Sequence, residues 1–234
     1  MALAAACLAG AAHGGTNGMM RYTVKRVAPA ALAEVAFGQA EAGRLGHVRP
    51  ESSEHRPETV FRVVHDGTHL YVRFEVSDRY VRSVQTDYQA PVCTDSCVEF
   101  FVRPRADKGY FNFEVNAGGT LLLYYIEDSA RTKEGFARFT RVPEEWGRKV
   151  EIRSSLPRVV EPELAGPVAW QVSFKVPLAL FEAFAGEVAR GGAVWRANFY
   201  KCGDKTSHPH WVAWSPVSAL NFHLPECFGE LALE

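Results

Sequence analysis

Apolar and polar residues alternate one by one through much of this chain, and that alternation restricts most of it to β-strands. The segment YFNFEVN, residues 110–116, shows the pattern clearly. Because successive side chains of a strand point to opposite faces, such a strand presses one set of residues into a core and turns the other set away. The inward set is Phe111, Phe113 and Val115, and the outward set is Asn112, Glu114 and Asn116. Asn is a poor strand former, so the polar row indicates a purpose beyond strand formation.

The same alternation recurs from Tyr22 onward and predicts about nine or ten short strands. Asp66-Gly67 predicts a hairpin turn, and Ala117-Gly118-Gly119 predicts a tight turn within a meander. One short helix is expected over residues 178–184, where the apolar residues follow helical spacing. The predicted strands are 22–27, 59–65, 69–77, 96–104, 110–116, 120–128, 149–155, 168–177, 193–201 and 229–234.

Many short strands with few helical signals predict an all-β fold of two packed antiparallel sheets, with one or two short helices. The chain has 234 residues, 47% of them hydrophobic, which is enough to bury a core. We therefore expect a single domain over residues 21–234. Residues 1–20 are interpreted as a leader-like or disordered start, because small apolar residues occur there without the positive residues that open a signal peptide. Segment 30–57 fits the strand pattern least well.

Charge and hydropathy exclude two classes of partner. Lys and Arg number 26 against 27 acidic residues, so the chain has no overall field that would concentrate nucleic acid. No stretch approaches the roughly 18 consecutive apolar residues of a membrane helix, so we expect no membrane insertion. The compartment stays open: secreted or periplasmic if the start is a partial signal peptide, and otherwise cytoplasmic.

The cysteines do not form a recognisable disulfide framework. Their count is odd and no CxxC pair occurs, so buried free thiols are the expected state. The five residues are Cys7, Cys93, Cys97, Cys202 and Cys227.

Two acidic residues on neighbouring predicted strands raise the possibility of catalysis. Val98, Phe100 and Val102 form the inward set of their strand, so Glu99 projects to the other face, where Glu114 of the next strand also lies. A glycoside hydrolase needs two carboxyl groups that flank the bond to be cleaved, and this pair is one candidate. Antiparallel sheets also display acidic residues outward without any catalytic role.

The segment WRANFYKCGDKTSHPHWVAW, residues 195–214, combines a strand with a polar, aromatic loop. Sugars suit such a mixture, because a pyranose stacks its C–H face on an aromatic ring and pairs its hydroxyls with polar side chains. Trp195 and Trp170 are assigned to the core, whereas Trp211 lies in a loop-rich region open to a ligand. Cys202, Asp204, His208 and His210 match no zinc-ligand spacing that is typical of a metal site, so no metal or cofactor is assigned, although a structural calcium is possible.

Several of these strings together resemble carbohydrate-binding family 9. They are DSCVEFFVRP, YFNFEVNAGGTLL, RANFYKCGD, SHPHWVAWSPV and FHLPECFGEL, and they keep the family's order over most of residues 22–234. The resemblance implies a jelly-roll-like β-sandwich that binds sugars without cleaving them. It also implies that two aromatic rings sandwich a terminal sugar, while acids, amides and basic groups bind its hydroxyls.

Mapping the family's motifs onto this sequence gives one set of expected ligand-binding residues. No second Trp precedes Asp95, where Tyr88 is the aromatic residue present. The implied role is non-catalytic glycan binding in polysaccharide catabolism, with an oligosaccharide or polysaccharide as ligand and glycan-degrading enzymes as possible partners. The alternatives are a glycoside hydrolase using Glu99 and Glu114, or a structural sandwich without a ligand. The expected binding residues are Tyr88, Asp95, Glu114, Asn116, Arg196, Asn198, Lys201, His210 and Trp211.

Overall fold

The computed structural model of the protein describes residues 19–234, and β-strands dominate that part of the chain. The strands are Arg21–Arg26 (β1), Gly43–Arg44 (β2), His47–Val48 (β3), Glu58–His65 (β4), His69–Asp78 (β5), Val81–Ser83 (β6), Cys97–Arg103 (β7), Tyr110–Asn116 (β8), Leu121–Thr132 (β9), Gly135–Arg141 (β10), Glu151–Ser154 (β11), Val160–Leu164 (β12), Val168–Pro177 (β13), Val194–Cys202 (β14), Trp211–Ala213 (β15) and Gly229–Leu233 (β16). The α-helices are Glu144–Gly147 (α1) and Leu178–Ala185 (α2), and short 3₁₀ turns cover Phe37–Gln39, Val92–Thr94 and Pro225–Cys227.

Two sheets pack face to face and share strand β1. The first sheet has the order β10-β9-β8-β7-β14-β16-β1, and the second has the order β1-β4-β5-β13-β11. Strand β1 pairs with β16 through Arg21–Val24 and with β4 through Lys25 and Arg26. Both of these pairings are parallel, whereas the neighbours along the rest of the two paths are antiparallel. The predicted two-sheet sandwich is therefore confirmed, with the added feature that one strand passes from sheet to sheet.

Aromatic rings fill the space between the two sheets. Phe199 of β14 stacks on Phe61 of β4, with ring centroids 3.6 Å apart and planes inclined by 13°. Phe174 of the second sheet stacks in the same way on Phe113 of the first, at 6.0 Å. Phe113 belongs to the inward set that the alternation predicts, and the other three rings lie in the same core. The interior core is thus built from the apolar half of each strand, and the largest fully buried side chains are aromatic rings.

A second apolar cluster covers the outer face of the first sheet. Phe101 and Tyr200 project from that face, and Val217, Phe222 and Phe228 of the segment that follows β15 pack against it. Strand β8 is consequently buried along its whole length on both faces. We refer to residues 215–228 as the covering segment. The polar row Asn112, Glu114 and Asn116 is buried as well, although Asn116 is covered by the loop that precedes β7, where it donates to the Gln85 carbonyl and to Asp95 Oδ2.

The turns and most strand bounds agree with the sequence predictions. Gly67 and Gly119 have φ of 86° and 87°, the left-handed conformation that glycine adopts without steric cost. Helix α2 forms where helical spacing predicts it. Several short strands were not predicted, because two to five residues give too little alternation to detect. They are β2, β3, β6, β12 and β15, together with the longer β10.

Residues 1–18 lie outside the described residues, so the leader-like interpretation of the start is not addressed by the structure. The assignment of residues 21–234 to one domain stays a prediction. Within residues 19–234, no helix has the length and apolar character needed to cross a membrane.

Removing the ring that links the two sheets should destabilise the whole fold. We expect Phe199→Ala to lower the free energy of unfolding by about 3–5 kcal/mol, because it leaves a cavity between the sheets. Val194→Ala on the same strand is the control, since Val194 is 50% exposed and should change stability by less than about 0.5 kcal/mol. Urea unfolding followed by tryptophan fluorescence measures both. A loss below about 1 kcal/mol for Phe199→Ala would contradict this account of the core.

Candidate functional site

A pocket of about 270 Å³ opens on the outer face of the first sheet, beside the covering segment. We call it the outer pocket. Its floor comes from strands β7, β8 and β14, and its walls come from the loop after β14 and from the covering segment. The lining residues are Cys93, Glu99, Glu114, Arg131, Cys202, Asp204, Trp211, Leu220, Asn221, Phe222 and His223.

Glu99 and Glu114 form the acidic floor of the outer pocket. They are direct cross-strand partners in the antiparallel pairing of β7 with β8, which places their Cβ atoms about 4.5–5.5 Å apart. Burial and the neighbouring Glu114 carboxylate raise the pKa of Glu99 well above its ordinary value. Burial also raises the pKa of Glu114 to about 7, against the lowering effect of the hydrogen bond from Asn112 Nδ2 at 2.7 Å. Near neutral pH this floor can therefore donate as well as accept hydrogen bonds.

Two thiols lie beside these carboxyl groups. Cys97 of β7 and Cys202 of β14 face each other in register, and both are buried free thiols, as predicted from the sequence. The Cys202 thiol donates to Glu99 Oε1 at 3.0 Å. Contact with Cys97 and burial raise the pKa of Cys202 well above its ordinary value, so the thiol is protonated and able to donate.

Trp211 forms one wall of the outer pocket and is held in a fixed orientation. Its indole Nε1 donates to Asp204 Oδ1 at 2.8 Å, and its backbone N–H donates to Ser52 Oγ at 3.0 Å. The backbone N–H of Asp204 in turn donates to the Cys93 carbonyl at 2.9 Å, which ties the loop after β14 to the 3₁₀ turn Val92–Thr94. The indole is half-buried, so part of its surface is available to a ligand.

The opposite wall carries His223 and Arg131. The Tyr110 hydroxyl lies 2.9 Å from His223 Nδ1, and the His223 ring packs at 4.8 Å from the Phe101 ring. Burial lowers the pKa of His223 to about 3, so its imidazole is neutral. The Arg131 guanidinium lies over the Phe136 ring at 4.1 Å. Among the described lining residues Arg131 is the only one with a permanent positive charge, against three acidic side chains.

A separate group of buried polar residues lies between the sheets, at one end of the interior core. Lys201 Nζ is 3.4 Å from Asp78 Oδ2 and 2.6 Å from His210 Nε2, and Asp78 also accepts from Trp170 Nε1 at 2.9 Å. His55 Nε2 lies 2.7 Å from Asp78 Oδ1. We call Lys201, Asp78, His55, His210 and Trp170 the interior network. It joins β14 of the first sheet to β5 and β13 of the second.

A second and larger pocket, about 630 Å³, opens beside the interior network. We call it the edge pocket. Asp78 and His55 reach its surface, and Tyr80 and His208 stack on each other there, with ring centroids 3.6 Å apart. Tyr80 has φ of 57°, an uncommon conformation for a residue with a side chain. Because His208 covers one face of the Tyr80 ring, that face is not free to stack on a ligand.

The structure divides the nine predicted binding residues among different places. Glu114 and Trp211 line the outer pocket. Arg196 and Asn198 lie on the same outer face, as their parity predicts, but they fix the covering segment: Asn198 Nδ2 donates to the Ser215 carbonyl at 2.9 Å, and Arg196 donates to the Phe228 carbonyl.

Asp95 and Asn116 bind each other and the preceding loop. Asn116 Nδ2 donates to Asp95 Oδ2 at 2.9 Å, and the same oxygen accepts from the backbone N–H groups of Val84 and Gln85. Tyr88 packs against the interior core and donates its hydroxyl to the Val142 carbonyl at 2.8 Å. These three side chains lie outside the lining of both pockets. Tyr88 and Trp211 therefore do not line one pocket in this structure, and ligand binding by Tyr88 stays a prediction.

The structure does not bring Lys201 and His210 together with Trp211. Both are fully buried in the interior network, on the opposite side of the first sheet from Glu114. Lys201 has the same parity as Phe199, and that signal was present in the sequence. The same separation divides Cys202 from His210, so the four residues Cys202, Asp204, His208 and His210 do not meet at one point. His223 was missed, because no local pattern marks a histidine in a loop that packs back on a distant strand.

Comparisons with known proteins place the chain among sugar-binding modules. The model of carbohydrate-binding family 9 matches residues 30–233. The chain belongs to carbohydrate-binding family 9. This membership confirms the resemblance seen in the sequence and the predicted fold class, and it gives the protein a non-catalytic carbohydrate-binding role. A search of curated proteins gave no significant match.

Solved structures support the same fold. A candidate carbohydrate-binding protein from Bacteroides uniformis is 30% identical, with a TM-score of 0.81 over 93% of this chain and 100% of that one. Two structures of a family 9 module from Caldicellulosiruptor kristjanssonii are more distant. The one in complex with glucose is 14% identical, with a TM-score of 0.59 over 92% of this chain and 96% of that chain. The one in complex with cellotriose is 15% identical, with a TM-score of 0.63 over 92% and 94%.

The interior network should make folding sensitive to acid. Lysine only donates hydrogen bonds, so His210 Nε2 accepts from Lys201 while Nδ1 donates to the His208 carbonyl at 2.8 Å, and the ring is neutral. Burial and Lys201 lower the pKa of His210 to about 3. Between pH 3 and the ordinary value near 6.5 the unfolded chain therefore binds one more proton at this site. The contribution of His210 to the free energy of unfolding is therefore complete above about pH 6.5. It falls by about 1.4 kcal/mol per pH unit as the pH is lowered from there.

His210→Gln keeps an acceptor for Lys201 but removes the titrating ring. We expect the difference in unfolding free energy between this variant and the wild type to shrink by about 1.4 kcal/mol for each unit between pH 6 and pH 4. Urea unfolding at several pH values measures it. His47→Gln, at an exposed histidine, is the control and should follow the wild type. Equal pH slopes for all three proteins would show that folding does not lower the pKa of His210.

Proposed function

We propose that the outer pocket binds the terminal residue of a glycan, with the Trp211 indole against the sugar ring. The observation that supports this assignment is the half-buried indole, fixed by its bond to Asp204, at the wall of a pocket whose other polar groups are acids, an amide, a guanidinium and an imidazole. A pyranose needs both an apolar surface and converging hydrogen-bond partners. No second candidate function has comparable support.

The polar groups of the outer pocket suit sugar hydroxyls. A hydroxyl both donates and accepts, and the raised pKa values of Glu99 and Glu114 leave protonated carboxyl groups that do the same. The Asn221 amide and the Arg131 guanidinium supply further donors. Glu99 accepts a hydrogen bond from the Cys202 thiol and Glu114 accepts one from the Asn112 amide, so both carboxyl groups already take part in hydrogen bonding at the floor. We therefore assign both residues to hydrogen bonding.

The size of the outer pocket favours a short ligand. At about 270 Å³ it lies just below the range of about 300–1,000 Å³ that holds drug-sized molecules. We infer that one sugar unit enters it while the rest of the chain remains outside. The Caldicellulosiruptor kristjanssonii modules were solved with glucose and cellotriose, so glucose and the non-branched β-glucan oligomers are the first ligands to test. A part in polysaccharide catabolism, glycan-degrading partner enzymes and a structural calcium stay predictions.

Isothermal titration with glucose and cellotriose tests the assignment. We expect Trp211→Ala to weaken binding by about 30-fold, since loss of a central aromatic contact costs about 2 kcal/mol. Glu114→Gln should weaken it less, because an amide still donates and accepts. Tyr80→Ala, which removes an aromatic ring from the edge pocket, is the matched control and should leave the affinity unchanged.

The opposite effects of the two variants would assign the ligand to the edge pocket. If Tyr80→Ala weakened binding and Trp211→Ala left it intact, the ligand would lie in the edge pocket. If glucose, cellotriose and a wider glycan array all failed to bind the folded wild-type protein, the assignment of the outer pocket would be withdrawn. Circular dichroism of each variant shows whether it is folded, and thermal melts show whether its stability has changed.

A further inference from the structure

Three metal-binding side chains converge at the floor of the outer pocket. Cys97 and Cys202 are cross-strand partners, and Glu99 is two residues beyond Cys97 on the same face of β7. One ligand atom from each of the three lies within 4.8 Å of the other two, and all three side chains are buried. The Cys202 Sγ to Glu99 Oε1 distance is 3.0 Å. Strand register alone brings these atoms together, so the arrangement does not depend on a flexible loop.

The spacing of these atoms suits a tetrahedral cation. Zinc binds thiolate sulfur at about 2.3 Å and carboxylate oxygen at about 2.0–2.2 Å, which puts tetrahedral ligands about 3.5–3.8 Å from one another. The Cys202 Sγ to Glu99 Oε1 separation is 3.0 Å, and no pair of the three ligand atoms is more than 4.8 Å apart. Side-chain rotation can therefore complete the geometry without movement of the strands.

Charge and access favour a cation at the same position. The acidic side chains that line the outer pocket are Glu99, Glu114 and Asp204, and among its described lining residues Arg131 is the single permanent cation. A buried carboxylate is costly unless a positive charge or hydrogen bonds compensate it. Glu99 and Cys202 both line the outer pocket, so an ion can reach them, and one coordination position would face the cavity.

We propose that Cys97, Glu99 and Cys202 bind a thiophilic divalent cation, with zinc as the first choice, and leave the fourth position open to the outer pocket. Thiolate ligands select zinc over calcium or magnesium, which prefer oxygen. Binding releases the protons of the two thiols and of the Glu99 carboxyl group to solvent, and it places the positive charge beside Glu114. An open fourth position is the arrangement that allows a bound ion to take a water or a ligand hydroxyl.

The site is separate from the zinc possibility considered from the sequence. That possibility combined Cys202 and Asp204 with His208 and His210, and His210 lies on the other side of the first sheet from Cys202. The new site draws its ligands from two neighbouring strands of the outer face. It does not rest on the proposed sugar binding, because metal binding can be measured with no glycan present.

Metal binding to the reduced, metal-free protein is the direct test. The protein is titrated with zinc against a chromophoric chelator, and cobalt is titrated separately, because thiolate coordination of cobalt gives a near-ultraviolet charge-transfer band. We expect one zinc per chain and a cobalt band. The double variant Cys97→Ser/Cys202→Ser should lose the band and bind zinc at least about 100-fold more weakly, beyond the 10–100-fold that loss of an outer-shell partner costs. Glu99→Gln should weaken zinc binding but keep the band.

Cys227→Ser is the matched control, because Cys227 is a half-buried free thiol outside the lining of the outer pocket. It should leave stoichiometry, affinity and the cobalt band unchanged. Circular dichroism and a zinc-dependent rise in melting temperature confirm that the wild type and the control are folded. Absence of stoichiometric zinc binding would overturn the proposal, and so would equal affinity in the double variant. A Cys97–Cys202 disulfide that forms in the presence of zinc would overturn it as well.

Discussion

The covering segment packs apolar side chains onto the outer face of the first sheet, so strands that would otherwise have one face in water are buried on both. A buried polar group needs a hydrogen-bond partner, and this requirement fixes what each polar side chain on that face does. Asn198 binds both the carbonyl and the N–H of Ser215, and the Tyr200 hydroxyl donates to the Phe222 carbonyl. Asn198 and Tyr200 of β14 thus hold the covering segment in place, and the outer pocket lies between that segment and the Glu99–Glu114 pair.

How much of the structure can be predicted from the sequence depends on how far apart in the chain the interacting residues are. Alternation follows from the geometry of a single strand, so the bounds of β8 and β13, the two-sheet class and the shared face of Glu99 and Glu114 were all accessible. The hydrogen bonds of Asn198 and Arg196 could not be predicted from alternation. Their partners lie about 20 to 30 residues away, in a segment that folds back on the sheet. The position of Lys201 could be predicted only in part. Its parity indicated the interior, but a lysine is rarely buried without a charged partner. That partner, Asp78, lies on a strand of the other sheet.

The two faces of strand β14 explain why the candidate residues separate as they do. Lys201 and Cys202 are consecutive, so they point to opposite sides of the sheet. Lys201 enters the interior network with Asp78, whereas Cys202 joins Glu99 at the floor of the outer pocket. A family motif that includes both positions therefore contains residues with different roles. Lys201 connects the two sheets, whereas Cys202 lies where a ligand can bind. Motif position and contact with a ligand are different properties.

This arrangement also accounts for the fixed orientation of Trp211. The end of β14 is held from one side by a buried ion pair and from the other by the Cys202 thiol, and the loop that carries Asp204 and Trp211 begins at that point. The loop is then attached to the Val92–Thr94 turn by backbone hydrogen bonds, and Trp211 returns to the sheet as the first residue of β15. Few degrees of freedom remain for the indole to lose when a sugar binds. Since ordering of side chains subtracts from affinity, a ring held in this way offers more binding free energy than a mobile one of the same area.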